Sequence, residues 1–142
     1  MHDVLARPLP PARPRKRAIA TAAALDAVAV VVFAAVGRSS HDSSLDVAGV
    51  LGAAWPFLVA LAVGWLALRA HKRPRALWPT GVGLWGLTWA LGMALRAVTG
   101  GGTALPFVLV ALGVLGALLV GWRFLARFTA GARSSYPGLS QH

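Results

Sequence analysis

Six side chains in this sequence have chemistry that is rare in or beside strongly apolar segments: Asp26, Arg38, His41, Trp85, Trp89 and Arg96. A carboxylate could bind a proton or a cation, and arginine and histidine could attract an anionic head group. Indoles offer flat apolar faces, each with one N–H donor. Together these residue types are typical of a site for a small anionic or amphipathic molecule.

Asp26 interrupts the apolar run from Ala18 to Val36. A carboxylate near the middle of a bilayer costs about 2.5–3.5 kcal/mol, which the Ile, Leu, Val and Phe residues of this run roughly offset. The helix should therefore turn its Asp26 face, with Ala22, Val30 and Phe33, into the protein. Asp26 is then either a proton, cation or ligand site, or a hydrogen-bonded carboxyl group that only joins helices.

The third apolar run carries tryptophans on the same side as an arginine. Trp78, Trp85, Trp89 and Arg96 lie within about 20° of one line on a helical wheel. Trp85 and Trp89 lie too deep for the interfacial aromatic belt. They either contact an apolar ligand or pack against small residues of a neighbouring helix.

Pro56 lies inside the second apolar run, where it removes the hydrogen bond that the Gly52 carbonyl would otherwise accept. We therefore predict a helix kink at Pro56. The carbonyl must find another donor in the membrane, so the kink either borders a water-accessible cavity or is an ordinary proline kink satisfied by a neighbouring helix.

Four apolar runs must position these residues, and 57% of the chain is hydrophobic. The runs are Ala18–Val36, Val47–Leu68, Pro79–Val98 and Ala104–Leu125. Each is close to the ~20 residues that cross a bilayer as an α-helix. The sequence predicts an all-α membrane protein with four transmembrane helices in a compact bundle over residues 18–126. A disordered, basic, proline-rich cytoplasmic tail (1–17) precedes it and a cytoplasmic tail (127–142) follows.

Two stretches of the chain resemble each other. AAWPFLVALAVGW in the second run is similar to TALPFVLVALG with the later VGW in the fourth. The chain is then either two similar helical hairpins in parallel orientation, or a sequence whose halves share only an apolar composition.

The basic residues predict the orientation in the membrane. Of fourteen Lys and Arg residues, only Arg38 and Arg96 lie outside the first seventeen residues, the connection between the second and third runs, and the segment from Arg123 onward. The positive-inside bias therefore places both termini in the cytoplasm, with the protein in the plasma membrane. A cleaved signal peptide ending at Gly37 is the alternative for the first run, although Asp26 in its apolar region disfavours it.

Several motifs carry a resemblance to a known family. The first helix ends in Gly37-Arg38-x-x-His41, the second contains Trp55-Pro56-Phe57, and the fourth ends in Gly121-Trp122-Arg123. From about Leu25 to Arg123 the chain resembles the small membrane proteins grouped as domain of unknown function three thousand and fifty-four. The resemblance implies four helices and brings no activity with it.

Enzyme motifs are missing from the sequence. It contains no glutamate, no cysteine and no histidine pair at metal-ligand spacing. We therefore predict no catalysis, no cofactor and no metal. The net charge of +10 lies beside apolar runs, which indicates contact with the lipid bilayer and not with nucleic acid.

Two functions remain. The protein either binds or transports a small anionic or amphipathic molecule, or it is a non-catalytic accessory or scaffold subunit, as a parallel homo-oligomer or in a larger membrane complex.

Overall fold

The computed structural model describes residues 16–39 and 46–134. Its α-helices are α1 (Lys16–Ser39), α2 (Val47–Ala67), α3 (Val82–Val98) and α4 (Leu105–Ser134), with a 3-10 turn at Ala70–Lys72 and a π-helical turn at Leu77–Gly81 before α3. No strand occurs within those residues. Four segments are long and apolar enough to span a membrane, which confirms the predicted all-α, four-helix membrane fold.

The four helices form a compact bundle in which each helix packs against two others. α1 contacts α2 and α4, and α3 contacts the same two helices from the other side. Alternating helix directions bring the start of α1, the α2–α3 connection and the end of α4 to one end of the bundle. We call it the basic end, because Lys16, Arg17 and the basic residues of segment 69–76 lie there.

The first helix buries the face that its sequence predicted. Ala22, Asp26, Val30 and Phe33 are all buried, each at 2% exposure or less. These residues recur at the helical spacing that places them on one side of α1. The marginal apolar character of α1 is therefore balanced by contacts inside the bundle.

Helix α4 is longer than the apolar run that predicted it. It continues past Leu125 to Ser134, through a segment whose alanine and arginine residues favour helix without being apolar enough to mark a membrane span. The segment predicted to be a tail from residue 127 onward is therefore helical as far as Ser134.

Pro56 is buried inside α2, which is assigned as helix without a break from Val47 to Ala67. Gly52 lies one turn earlier and lines a cavity. Its carbonyl lacks a helical hydrogen bond, because proline has no N–H to donate. The local arrangement therefore matches the cavity alternative for this proline, while the kink itself stays a prediction.

Candidate functional site

A cavity of about 550 Å³ opens at the end of the bundle opposite the basic end. All four helices and the α3–α4 loop contribute to its wall, which includes Phe33, Arg38, Gly52, Arg96, Gly102 and Phe107. We call it the arginine pocket. Its wall is mostly carbon, so the two guanidinium groups are its main charged features.

Arg96 is held in the arginine pocket by the loop that follows α3. Its Nε donates to the Gly102 carbonyl at 2.7 Å, and its guanidinium carbon lies 4.3 Å from the ring centroid of Phe107. Gly100, at φ +83°, provides the left-handed turn that brings this loop back over the arginine. The two terminal nitrogens of Arg96 have no hydrogen-bond acceptor among the residues that the structure describes, so they can donate to a bound anion.

Arg38 enters the same pocket from the end of α1. Its Nη2 lies 3.3 Å from Oδ1 of Asp46, and this carboxylate also caps α2 by accepting the Gly49 N–H. The ion pair joins the end of α1 to the start of α2. His41, which the sequence placed beside Arg38, lies outside the described residues.

The most strongly bonded polar group in the described chain is Asp26, deep inside the bundle and fully buried. Arg123 donates to it from Nη1 to Oδ1 and from Nη2 to Oδ2, both at 2.7 Å. The indole N–H of Trp65 donates to Oδ2 at 2.9 Å and that of Trp122 to Oδ1 at 2.8 Å. Four hydrogen bonds therefore satisfy the carboxylate, because a buried anionic group needs donors to replace water.

Arg123 is itself fully buried and extends these contacts to a loop. Its Nε donates to the Pro74 carbonyl at 3.0 Å, and its Nη1 donates to the Leu119 carbonyl at 2.9 Å. The guanidinium also lies 4.4 Å from the ring of Trp122. The network of Asp26, Trp65, Trp122 and Arg123, called the ion-pair cluster below, thus fastens α1, α2, α4 and the α2–α3 connection to one another.

The structure corrects the place of Arg123. The sequence counted it among the basic residues outside the membrane, whereas it is buried in the bundle because it neutralises Asp26. The lone aspartate in an apolar helix was a signal that such a partner exists. Two repeated tripeptides, Val63-Gly64-Trp65 and Val120-Gly121-Trp122, were a second signal, because both tryptophans meet the same carboxylate.

Trp85 and Trp89 lie away from the arginine pocket, between α3 and α4. Their indole N–H groups donate to the carbonyls of Leu112 at 2.8 Å and Val108 at 3.1 Å. A Cβ at Gly116 would lie 2.9 Å from the Trp85 ring, so the missing side chain makes room for this indole. The contacts match the packing alternative for both tryptophans. Trp78, at the start of the span, is 74% exposed, as a membrane-interface residue would be.

An aromatic layer separates the arginine pocket from the ion-pair cluster. Phe33, Phe57 and Phe107 pack with ring centroids 5.0–6.5 Å apart. Asp26 lies seven residues before Phe33 on α1, which is about 10 Å along the helix. The structure therefore brings Arg38 and Arg96 together and places Asp26 at a separate level.

Fold and site define a multi-pass membrane protein with four helices. Within the described segments no group of three His, Cys, Asp or Glu side chains could hold a metal ion. The chain belongs to the family described as Protein of unknown function (DUF3054), which matches residues 23–126. This match corrects the narrower resemblance from Leu25 to Arg123 that the motifs indicated. No curated protein and no solved structure matches the chain.

Proposed function

We propose that this protein binds a small anionic or amphipathic molecule in the arginine pocket. The observation that supports the proposal is a cavity of about 550 Å³ in which two arginines lie above an aromatic floor. Its volume falls within the roughly 300–1,000 Å³ of ordinary ligand sites. A mostly apolar wall with few charged groups suits a ligand with one anionic end.

The two ends of such a ligand have different partners in the pocket. The terminal nitrogens of Arg96 donate to its anionic group, and Arg38 adds positive potential from the other side of the cavity. Phe33 and Phe107 contact the apolar part. Arg96 is preorganised by its bond to Gly102 and its contact with Phe107, which reduces the entropy lost on binding.

The proposal covers binding and not transport. Transport coupled to a proton or a cation would use an intramembrane carboxylate that can exchange its partner, and Asp26 is the only carboxylate in the described spans. Four donors already occupy Asp26, and the aromatic layer separates it from the arginine pocket. The ion-pair cluster thus supports a role in holding helices together.

A non-catalytic accessory subunit is the second candidate, and the same cluster favours it. The buried charged residues Asp26 and Arg123 have a complete structural explanation without any ligand. On this proposal the lipid-facing surface meets a larger membrane complex or a second, parallel copy.

We further propose that both termini lie in the cytoplasm and that the arginine pocket faces the outside of the plasma membrane. Because Arg123 is buried, eleven of the twelve Lys and Arg residues first assigned to the cytoplasmic side still count there. Only Arg38 and Arg96 count on the other side. The positive-inside bias supports this orientation as strongly as before. Labelling of single cysteines introduced at Arg73 and Gly102 in intact cells tests it, because only the second should react with a reagent that cannot cross the membrane.

Native mass spectrometry of protein released from its own membranes tests the binding proposal. We expect a bound anionic species on the wild-type protein and its loss from Arg96→Gln. Arg73→Gln is the matched control, because Arg73 is an exposed arginine far from the pocket and its replacement removes the same charge. Retention of the species by Arg96→Gln would reject the pocket. A protein that copurifies with all three forms, with no small molecule, would favour the accessory subunit.

A further inference from the structure

A second cavity, of about 610 Å³, lies near the basic end between α1 and α4. Its wall includes Thr21 and Leu25 from α1, Trp122 and Leu125 from α4, and Arg75 from the α2–α3 connection. We call it the Arg75 groove. Thr21 is five residues from the start of α1, about 7.5 Å along the helix, so the groove lies at the depth where lipid head groups meet the hydrocarbon.

The ion-pair cluster fixes Arg75 beside this groove. Arg75 follows Pro74, which is buried and whose carbonyl accepts the Nε of Arg123 at 3.0 Å. The backbone is therefore anchored one residue before the exposed arginine. A long side chain on an anchored backbone loses less entropy on binding than one on a free loop.

Two donors in the groove have no partner within the part of the chain that the structure describes. No hydrogen bond among the described residues involves the guanidinium of Arg75 or the hydroxyl of Thr21, while the hydroxyl of Thr129 is already bonded to the Ala126 carbonyl. A phosphate oxygen accepts well from both free groups. Toward the membrane centre the wall becomes apolar, with Leu25, Leu125 and the Trp122 ring.

We infer that the Arg75 groove binds an anionic glycerophospholipid. The phosphate accepts from Arg75 and Thr21, and one acyl chain lies along Leu25 and Leu125. Charge complementarity selects this occupant, since the described part of the basic end carries Lys16, Arg17, Arg69, Lys72, Arg73 and Arg75 and exposes no carboxylate. A free phosphate would use the donors but leave the apolar wall in contact with lipid tails. The site is independent of the arginine pocket.

Phosphatidylglycerol titrated against the full-length protein in a neutral detergent, with native mass spectrometry as readout, tests the inference. We expect the affinity to fall at least about fivefold in Arg75→Gln, since one interfacial arginine contributes about that factor. Arg73 is a neighbouring exposed arginine outside the groove, and the affinity of Arg73→Gln for phosphatidylglycerol should stay within about twofold of wild type. Equal losses in the two variants would overturn the site and indicate general attraction to a basic surface.

A second pair of variants tests the shape of the groove without changing charge. Ala126→Phe places a ring in the groove and should reduce phosphatidylglycerol binding, whereas Ala24→Phe adds the same ring on an exposed face of α1 outside it. Equal binding by both variants would contradict the inference. So would displacement of the lipid by millimolar inorganic phosphate, or phosphatidylcholine binding as tight as phosphatidylglycerol. Phosphatidylglycerol binding should fall in Arg75→Gln whether or not Arg96→Gln loses its own anionic species, which separates this result from failure of the arginine pocket.

Discussion

Two arginines in neighbouring levels of the same bundle have opposite surroundings. Arg123 donates to both oxygens of Asp26 and to two backbone carbonyls, and it is fully buried. Arg96 donates to one carbonyl, covers one aromatic ring and borders a cavity. The residue type is the same, and the number of acceptors supplied by the protein differs.

This difference separates a structural charge from a binding charge. A guanidinium whose donors are all directed at the protein fixes helices, and exchanging its partner would expose a buried carboxylate. A guanidinium held by one bond keeps donors for a ligand at little cost in stability. Counting acceptors around each arginine therefore predicts which replacement should unfold the protein and which should only empty its pocket.

The largest effect is expected from Arg123→Gln. This substitution leaves Asp26 buried without its cation, and breaking a buried pair in this way costs about 3–5 kcal/mol. Thermal unfolding in detergent or in nanodiscs measures the loss. The double substitution Asp26→Leu with Arg123→Met removes both charges and should recover part of the loss, because the indole N–H groups of Trp65 and Trp122 still lack their acceptor. If Arg123→Gln lowered the stability no more than Arg96→Gln does, the distinction between the two arginines would fail.

The next effect separates two kinds of tryptophan. Trp122→Phe removes an N–H donor to a carboxylate and should cost about 1.5–3 kcal/mol, whereas Trp89→Phe removes a donor to a backbone carbonyl and should cost about 0.5–1.5 kcal/mol. Both replacements remove the same atoms, so the difference in unfolding temperature reports the charge on the acceptor together with the weaker contact of Arg123 with a phenyl ring. The reverse order would mean that Asp26 depends little on its indole donors.

The packing of the aromatic layer between the two levels depends on the absence of a side chain at Gly92. A Cβ at this position would overlap the ring of Phe57, so Gly92→Ala should cost about 1–3 kcal/mol by forcing the ring or α3 to move. At Gly86 a Cβ meets nothing within 4 Å, and Gly86→Ala should be neutral or stabilising. Similar unfolding temperatures for the two variants would show that the layer is loosely packed.

The smallest effect on stability is expected from Arg96→Gln, at about 1 kcal/mol or less. It removes one carbonyl contact and one cation–π contact at the edge of a cavity. The same variant should lose the bound anionic species. Loss of stability as large as that of Arg123→Gln would show that Arg96 is structural, and the comparison between the two levels would fail.

Hydropathy predicted the helices well because each span must supply about 20 apolar residues, a constraint local to its own segment. The inward face of α1 was predictable for the same reason, since a carboxylate cannot face hydrocarbon. The end of α4 was missed because residues after Leu125 are helical without being apolar.

The contacts between helices were harder to predict from the sequence. Asp26 required a partner, yet nothing local distinguished Arg123 from the other arginines near a span end. Trp65 and Trp122 each end a repeated Val-Gly-Trp tripeptide, which is visible in the sequence. Their common acceptor was not predictable, because it depends on which helices are neighbours. Arg38 and Arg96, which the sequence placed on the same side of the membrane, line one pocket. Trp85 and Trp89 lie between α3 and α4, where their N–H groups donate to backbone carbonyls.

The pairing of Asp26 with Arg123 also constrains the order of events during synthesis. The two residues are 97 positions apart, so at ribosomal rates the aspartate is synthesised roughly 5–20 s before its arginine. During that interval α1 carries a carboxylate with no cation. A chain that stops before α4 never acquires one, which makes the unpaired first helix a feature by which a cell could recognise an incomplete copy.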